Sequence, residues 1–324
     1  MASVNASTLP WIPYPPIYTA FIVTLAILLI CSTVVGNFLV VATFLKTDRL
    51  RRPTYYLLSS LAFVDLLNGA ISIPVETFNR SVFIEVTCLY IYSRYLSSFT
   101  YLFGGNSLLH IVMVTLDRYI AVHKPLRYEA LVTSKRIAFG ILLSWLMSIL
   151  FVIGLVGKEE DPSLVGNYCA GTITQTDHLY RIGIIILMII IILSSLTLVI
   201  LNMLILRTAL HHARRIAQME QAVSRGRQEE SVSRIKASKI VTTITLAFFV
   251  CYIPTSIVHV AIVIDNGLFN RPFDDMAAFI FYLSSAVNPV IYCYRDRLFR
   301  ENAVRYFKEI TVWRKLCSSE STFD

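Results

Sequence analysis

Asp65 is the residue whose setting most demands an explanation. It stands in Tyr55 to Val75, a predominantly apolar stretch with no other charge, and a carboxylate that water cannot reach must be paired or put to use. Asn37, Ser107, Ser284, Ser285 and Asn288 lie at similar depth in other apolar stretches. Asp65, Ser107, Ser284 and Asn288 offer hard oxygen ligands of the kind a small cation such as sodium prefers. The alternative is a neutral hydrogen-bonded cluster. Two further constellations stand out. Asp117-Arg118-Tyr119 closes one apolar stretch with an acid, a guanidinium and a phenol. Asn288-Pro289-Val290-Ile291-Tyr292 places a proline, which removes a backbone hydrogen bond and bends a helix, beside an amide and a phenol. Pro254, after Phe248, Cys251 and Tyr252, supplies a comparable kink.

The elements that position these groups follow from composition. Of 324 residues, 56% are hydrophobic and 15% charged, too apolar for a chain that dissolves in water. A helix crosses the hydrocarbon core with about 20 apolar residues. Seven segments meet that requirement: Ile17 to Phe44, Tyr55 to Val75, Tyr95 to Leu116, Ile137 to Gly157, Ile182 to Leu206, Ile240 to Ile264 and Met276 to Tyr294. Asp65 is the only formal charge in them. The fold class expected is therefore an all-α membrane protein, a seven-transmembrane helix bundle over 17–294. A short amphipathic helix over 295–310 follows, where Ala303, Tyr306, Phe307 and Ile310 recur at helical spacing among basic residues. Residues 1–16 form an N-terminal segment and 311–324, rich in serine, a disordered tail open to phosphorylation.

Basic residues are retained on the cytoplasmic side of membranes. With the N-terminus outside, 24 of the 29 lysines and arginines fall inside, leaving Arg80, Arg94, Lys158, Arg181 and Arg271 outside. The net charge of +8 then reflects topology and a lipid-facing inner rim, not nucleic-acid binding. Cys31, Cys251 and Cys293 lie within helices and read as small buried thiols, while Cys88 and Cys169 share the oxidising side, which favours a disulfide. Cys317, beyond the amphipathic segment, is a palmitoylation candidate, and Asn5 and Asn79 open glycosylation sequons. No nucleophile constellation, metal-ligand cluster or internal repeat is present in the sequence. A transporter or ion channel, the alternative reading, would also place a carboxylate mid-membrane, but it fits an odd helix number without repeats poorly.

Taken in order, Gly36-Asn37, Leu61-Ala62-x-x-Asp65, Asp117-Arg118-Tyr119, Trp145, Phe248-x-x-Cys251-Tyr252-x-Pro254 and Asn288-Pro289-x-x-Tyr292 followed by Phe299 resemble the rhodopsin-like G protein-coupled receptors over nearly the whole chain. The resemblance implies that an extracellular ligand drives a heterotrimeric G protein, with receptor kinase and arrestin as further partners. It implies that Asp117, Arg118, Tyr119, Pro125 and Leu126 meet the G protein. It further implies that Asp65 with Ser107 and Asn288 holds an allosteric sodium ion, and that Phe248, Tyr252, Pro254, Asn288, Pro289 and Tyr292 switch on activation.

The departures from the family are specific. Tyr252 stands where tryptophan is usual, the fifth span has no proline, and its nearest inner polar group is Asn202. Arg234 takes the place of the acidic residue that often locks the third-span arginine, so basal activity is expected. Cys88 falls five residues before Ser93, near which the family's cysteine lies. No lysine in the seventh span can hold retinal, Tyr282 occupying that depth, and Thr100 stands where amine receptors carry an aspartate. Around Asp117 to Trp145 the sequence is most similar to adenosine receptors, and in its fifth span to melanocortin-type receptors. Glu76, Thr100, Tyr101, Gly104, His259, Ala278 and Tyr282 are the candidate pocket residues for a ligand that is neither a monoamine nor retinal.

Overall fold

A computed structural model describes residues 15–50, 52–82, 90–156, 178–219, 249–258, 260, 271–295, 299–306 and 308. All regular structure among them is helical. Helix α1 is Pro16–Lys46, α2 Pro53–Leu67, α3 Ile73–Val82, α4 Tyr90–His123, α5 Tyr128–Leu131, α6 Ser134–Val156, α7 His178–Met219 and α9 Arg271–Arg295, with α8, Phe249–Val258, between the last two. Pro16 and Pro53 each open a helix in its first turn, where the missing N–H costs nothing and the ring presets the backbone.

Six stretches are long and apolar enough to cross a membrane: Pro16–Lys46, Pro53–Ser81, Leu96–His123, Ser134–Gly154, Ile185–Thr208 and Pro272–Tyr294. They match six of the seven expected spans. The sixth span is represented by α8, and the rest of Ile240 to Ile264 lies outside the described residues apart from Val260. The second span is one rod made of α2 and α3, joined by a π-turn over Asn68–Ser72. At that turn Gly69 lets the first span come close, since a Cβ there would lie 2.7 Å from Thr33 Cγ2.

Helix α4 sits centrally, touching α2, α3, α6 and α7, while α1 packs on α2 and α9. Leu57, Leu61, Leu108, Ile111, Ile291 and Tyr292 are buried in the interior. The opposite faces of α6 and α7 leave Phe139, Leu142, Leu150, Ile189, Leu193 and Ile200 exposed, as lipid contact requires. Residues 299–306 are helical, as expected within 295–310: Phe299 and Ala303 are buried against the bundle and Lys46 caps the Tyr306 ring at 4.4 Å. Helix α7 runs on to Met219, thirteen residues past Leu206, the end of the expected fifth span. Of the cysteines expected to be buried, Cys251 is and Cys293 is half-buried, but Cys31 is exposed on the outer surface of α1, where apolar neighbours suit a thiol equally well.

Candidate functional site

The Asp65 carboxylate, fully buried, is held from two other spans. One oxygen accepts Ser107 Oγ at 3.2 Å and Ser285 Oγ at 2.8 Å; the other accepts Asn288 Nδ2 at 2.7 Å. The seventh-span hydroxyl brought to Asp65 is thus Ser285. Ser284, the expected ligand, is one residue off that face and donates to the Phe281 carbonyl at 2.7 Å instead. The carboxylate and the two hydroxyls present oxygens, and Asn288 would add its amide oxygen only by turning over, a set whose single negative charge suits a monovalent cation. Asn37 ties the first span to the same place, its amide donating to the Thr33 and Ser285 carbonyls, both at 2.9 Å.

Toward the Arg80 end of the bundle, Thr100 and Tyr282 face each other with hydroxyls 2.7 Å apart. Above them Arg80 pairs with Glu76 at 2.9 Å, Asp274 at 2.7 Å and Asp275 at 2.6 Å. Tyr18 donates to Asp275 and Ser97 to Glu76. Of the expected pocket residues, Glu76, Thr100 and Tyr282 therefore converge, and Tyr101 is half-buried on α4. Ala278 instead packs beside Leu29, Ile73 and Tyr282. Gly104 is covered by aromatic side chains. A Cβ there would meet the tip of the Phe281 ring at 2.6 Å, and its carbonyl accepts the Tyr252 hydroxyl at 3.2 Å. Tyr252, buried where the family has tryptophan, packs edge-on to Phe281 with centroids 4.9 Å apart. Asn79, the second sequon asparagine, lies half-buried in α3 with its amide donating to Ser97 at 3.4 Å.

At the other end Asp117 is enclosed by donors. Thr54 reaches it at 2.9 Å, Tyr128 at 2.7 Å and the Arg118 guanidinium at 2.8 Å. Arg118 also bonds to Thr54, and Tyr128 lies 3.1 Å from the same hydroxyl. Burial, then the Asp117 charge, pushes the Tyr128 phenol up to about 12, so it stays a donor at any physiological pH. Thr54 and Tyr128 went unassigned in the sequence reading. A phenol and a hydroxyl are unremarkable residue types, and only the packing of α5 and of the first turn of α2 against α4 brings them to Asp117. Tyr119 stacks on His123 at 5.0 Å, and past Pro125, which opens a short 3-10 turn, Leu126 is 100% exposed. Pro289 sits inside α9, Pro254 is half-buried in α8, and the Tyr292 hydroxyl is buried with no hydrogen-bond partner among the described residues. Phe248, His259, Cys88, Cys169, Asn5, Cys317 and Arg234 lie outside those residues.

A bundle of membrane-length helices with a cluster of polar and charged groups at one end, a buried carboxylate at its middle and a guanidinium network at the other is the architecture of a transmembrane receptor. The chain belongs to the rhodopsin family of seven-transmembrane receptors, whose model matches residues 36–292. It is 28% identical over 294 residues to the histamine H2 receptor of Cavia porcellus, covering 88% of this chain and 78% of that one. It is 30% identical to trace amine-associated receptor 9 of Mus musculus, covering 90% of this chain and 85% of the relative. With trace amine-associated receptor 1 of Homo sapiens it shares 26% identity over 87% of this chain and 86% of the other. The protein is accordingly a multi-pass membrane receptor that signals through a G protein. These relatives are named for amines, whereas local segments pointed toward adenosine and melanocortin receptors.

Proposed function

We propose that this receptor lies in the plasma membrane with its N-terminus outside and answers a ligand that is neither a monoamine nor retinal. The observation that carries this reading is the Thr100 to Tyr282 hydroxyl pair. A neutral floor occupies the place where an amine would need a carboxylate, and it has no lysine for a Schiff base. On activation Tyr252, Pro254, Asn288, Pro289 and Tyr292 rearrange, and Asp117, Arg118, Tyr119, Pro125 and Leu126 receive the G protein. Sodium at Asp65, with Ser107, Ser285 and Asn288, stabilises the inactive form. The serine-rich tail over 311–324 serves receptor kinase and arrestin.

A second reading, an amine ligand, is favoured by the carboxylate excess above that floor. Glu76, Asp274 and Asp275 surround one guanidinium, so a cationic group could be held there without a third-span aspartate. A panel of amines, nucleosides, peptides and lipids, read out through several chimeric G proteins, separates the two. Activation by non-amines supports the first reading. Amine responses that Glu76→Gln removes, with surface expression kept, support the second.

A further inference from the structure

Leu126 is presented by a very short scaffold. The turn over Pro125–Arg127 leads into α5, Tyr128–Leu131, and the Val132 N–H closes that helix on the Tyr128 carbonyl at 2.8 Å. An α-helix cannot pair its last four carbonyls internally, and α5 has only four residues. Two of those carbonyls are taken by one side chain from the next helix: Arg136 Nη1 donates to Ala130 at 2.9 Å and to Leu131 at 2.8 Å. A guanidinium suits that end in charge as well, since unpaired carbonyls leave a helix C-terminus partly negative.

Arg136 is itself held firmly enough to do this. It stands in the first turn of α6, where its N–H donates to Thr133 Oγ1 at 3.4 Å and the Ile137 N–H to the Thr133 carbonyl at 3.0 Å. Val132, in the link between α5 and α6, is buried. The loop is thus fastened twice, to the third span through the Tyr128 hydroxyl on Asp117 and to the fourth through Arg136. Leu126, two residues ahead of Tyr128, is fully exposed, so no packing of its own fixes it. Where it stands follows from how α5 is held.

We propose that Arg136 is a positioning residue for G protein coupling: it caps α5 from the fourth span and so fixes where Leu126 meets its partner. The effect on coupling rests on Leu126 being the apolar anchor, as read above; the cap does not. A basic side chain that only steered an acidic partner would slow association, and salt would conceal the loss. A misplaced anchor is felt after the complex forms, as faster dissociation at any salt.

Two measurements on the full-length receptor in lipid nanodiscs test this, with Lys135→Met as the control that removes the same charge one residue away. Hydrogen exchange on peptides spanning 124–133 reports the cap. Arg136→Met, which keeps the apolar stem, should speed exchange in that segment about fivefold, as two charge-assisted bonds give way to water. Lys135→Met should leave it unchanged. Equal exchange in Arg136→Met and the parent overturns the proposal. Binding of purified nucleotide-free G protein, followed in real time at low and at high salt, then reports the consequence. Arg136→Met should speed dissociation about fivefold at both, and Arg136→Lys, whose ammonium still reaches one carbonyl, should stay within about twofold of the parent. In a Leu126→Ala receptor the Arg136→Met change should add nothing further, because both act through one contact. A loss confined to association at low salt, as expected of Lys135→Met, overturns the positioning role, and so does full additivity with Leu126→Ala. Dissociation at the parent rate in Leu126→Ala ends the anchor reading and with it the effect on coupling, while exchange still decides the cap.

Discussion

Leu126→Ala is the sharpest test of the coupling surface, because the side chain is 100% exposed and its loss costs the folded receptor nothing. Any effect must come from what covers it. Truncation to alanine removes three carbons from an apolar anchor, and at about 0.8 kcal/mol per buried methylene that weakens a well-packed contact by about 2 kcal/mol. The half-saturating G protein concentration should then rise about 30-fold. Nucleotide exchange on purified heterotrimer, measured against G protein concentration with the parent alongside, reads this directly, and melting of the receptor should stay unchanged. Arg118→Ala should lower exchange further. Its guanidinium pairs with Asp117 and Thr54 here, and these are partners it can leave for a backbone carbonyl of an inserted helix. Parent-like exchange curves for both variants would mean that this end of the bundle is not where the G protein docks.

Asp65→Asn should abolish the sodium dependence of receptor melting while preserving expression, and an unchanged sodium titration removes the ion site. Tyr128→Phe deletes one donor to Asp117 at 2.7 Å, a hydrogen bond to a charged group of about 2 kcal/mol. Ligand-free nucleotide exchange should rise as the Arg118 network loosens, and a parent-like basal rate refutes that role. Gly69→Ala should lower the melting temperature, because its methyl would meet Thr33 at 2.7 Å where two helices touch; an equal melting temperature would show that the spans can part at little cost. Cys88 and Cys169 should appear as one cross-linked pair in mass spectrometry of non-reduced peptides, and two free thiols dispose of the bridge.

The spans were legible from composition, because a helix in lipid satisfies its own backbone and its apolar length is all the membrane asks of it. Asp65 was equally legible: one carboxylate among apolar residues is conspicuous whatever surrounds it. Partners were harder. Ser284 and Ser285 are chemically identical neighbours, and only the rotation of α9 about its own axis, set by packing on α1 and α2, turns Ser285 toward Asp65 and Ser284 toward its own backbone. Gly104 stands at the depth of a pocket residue, yet Phe281 and Tyr252 cover it from two other helices. Thr54 and Tyr128 meet Asp117 across 63 and 11 positions of chain, a meeting that no local pattern encodes. Asn68 carries no helix-breaking or charge signal, and its hold on Ser285 exists only because α9 packs against the second span. Residue type and spacing determined which groups this receptor places in the membrane; helix rotation and close approach decided which of them touch.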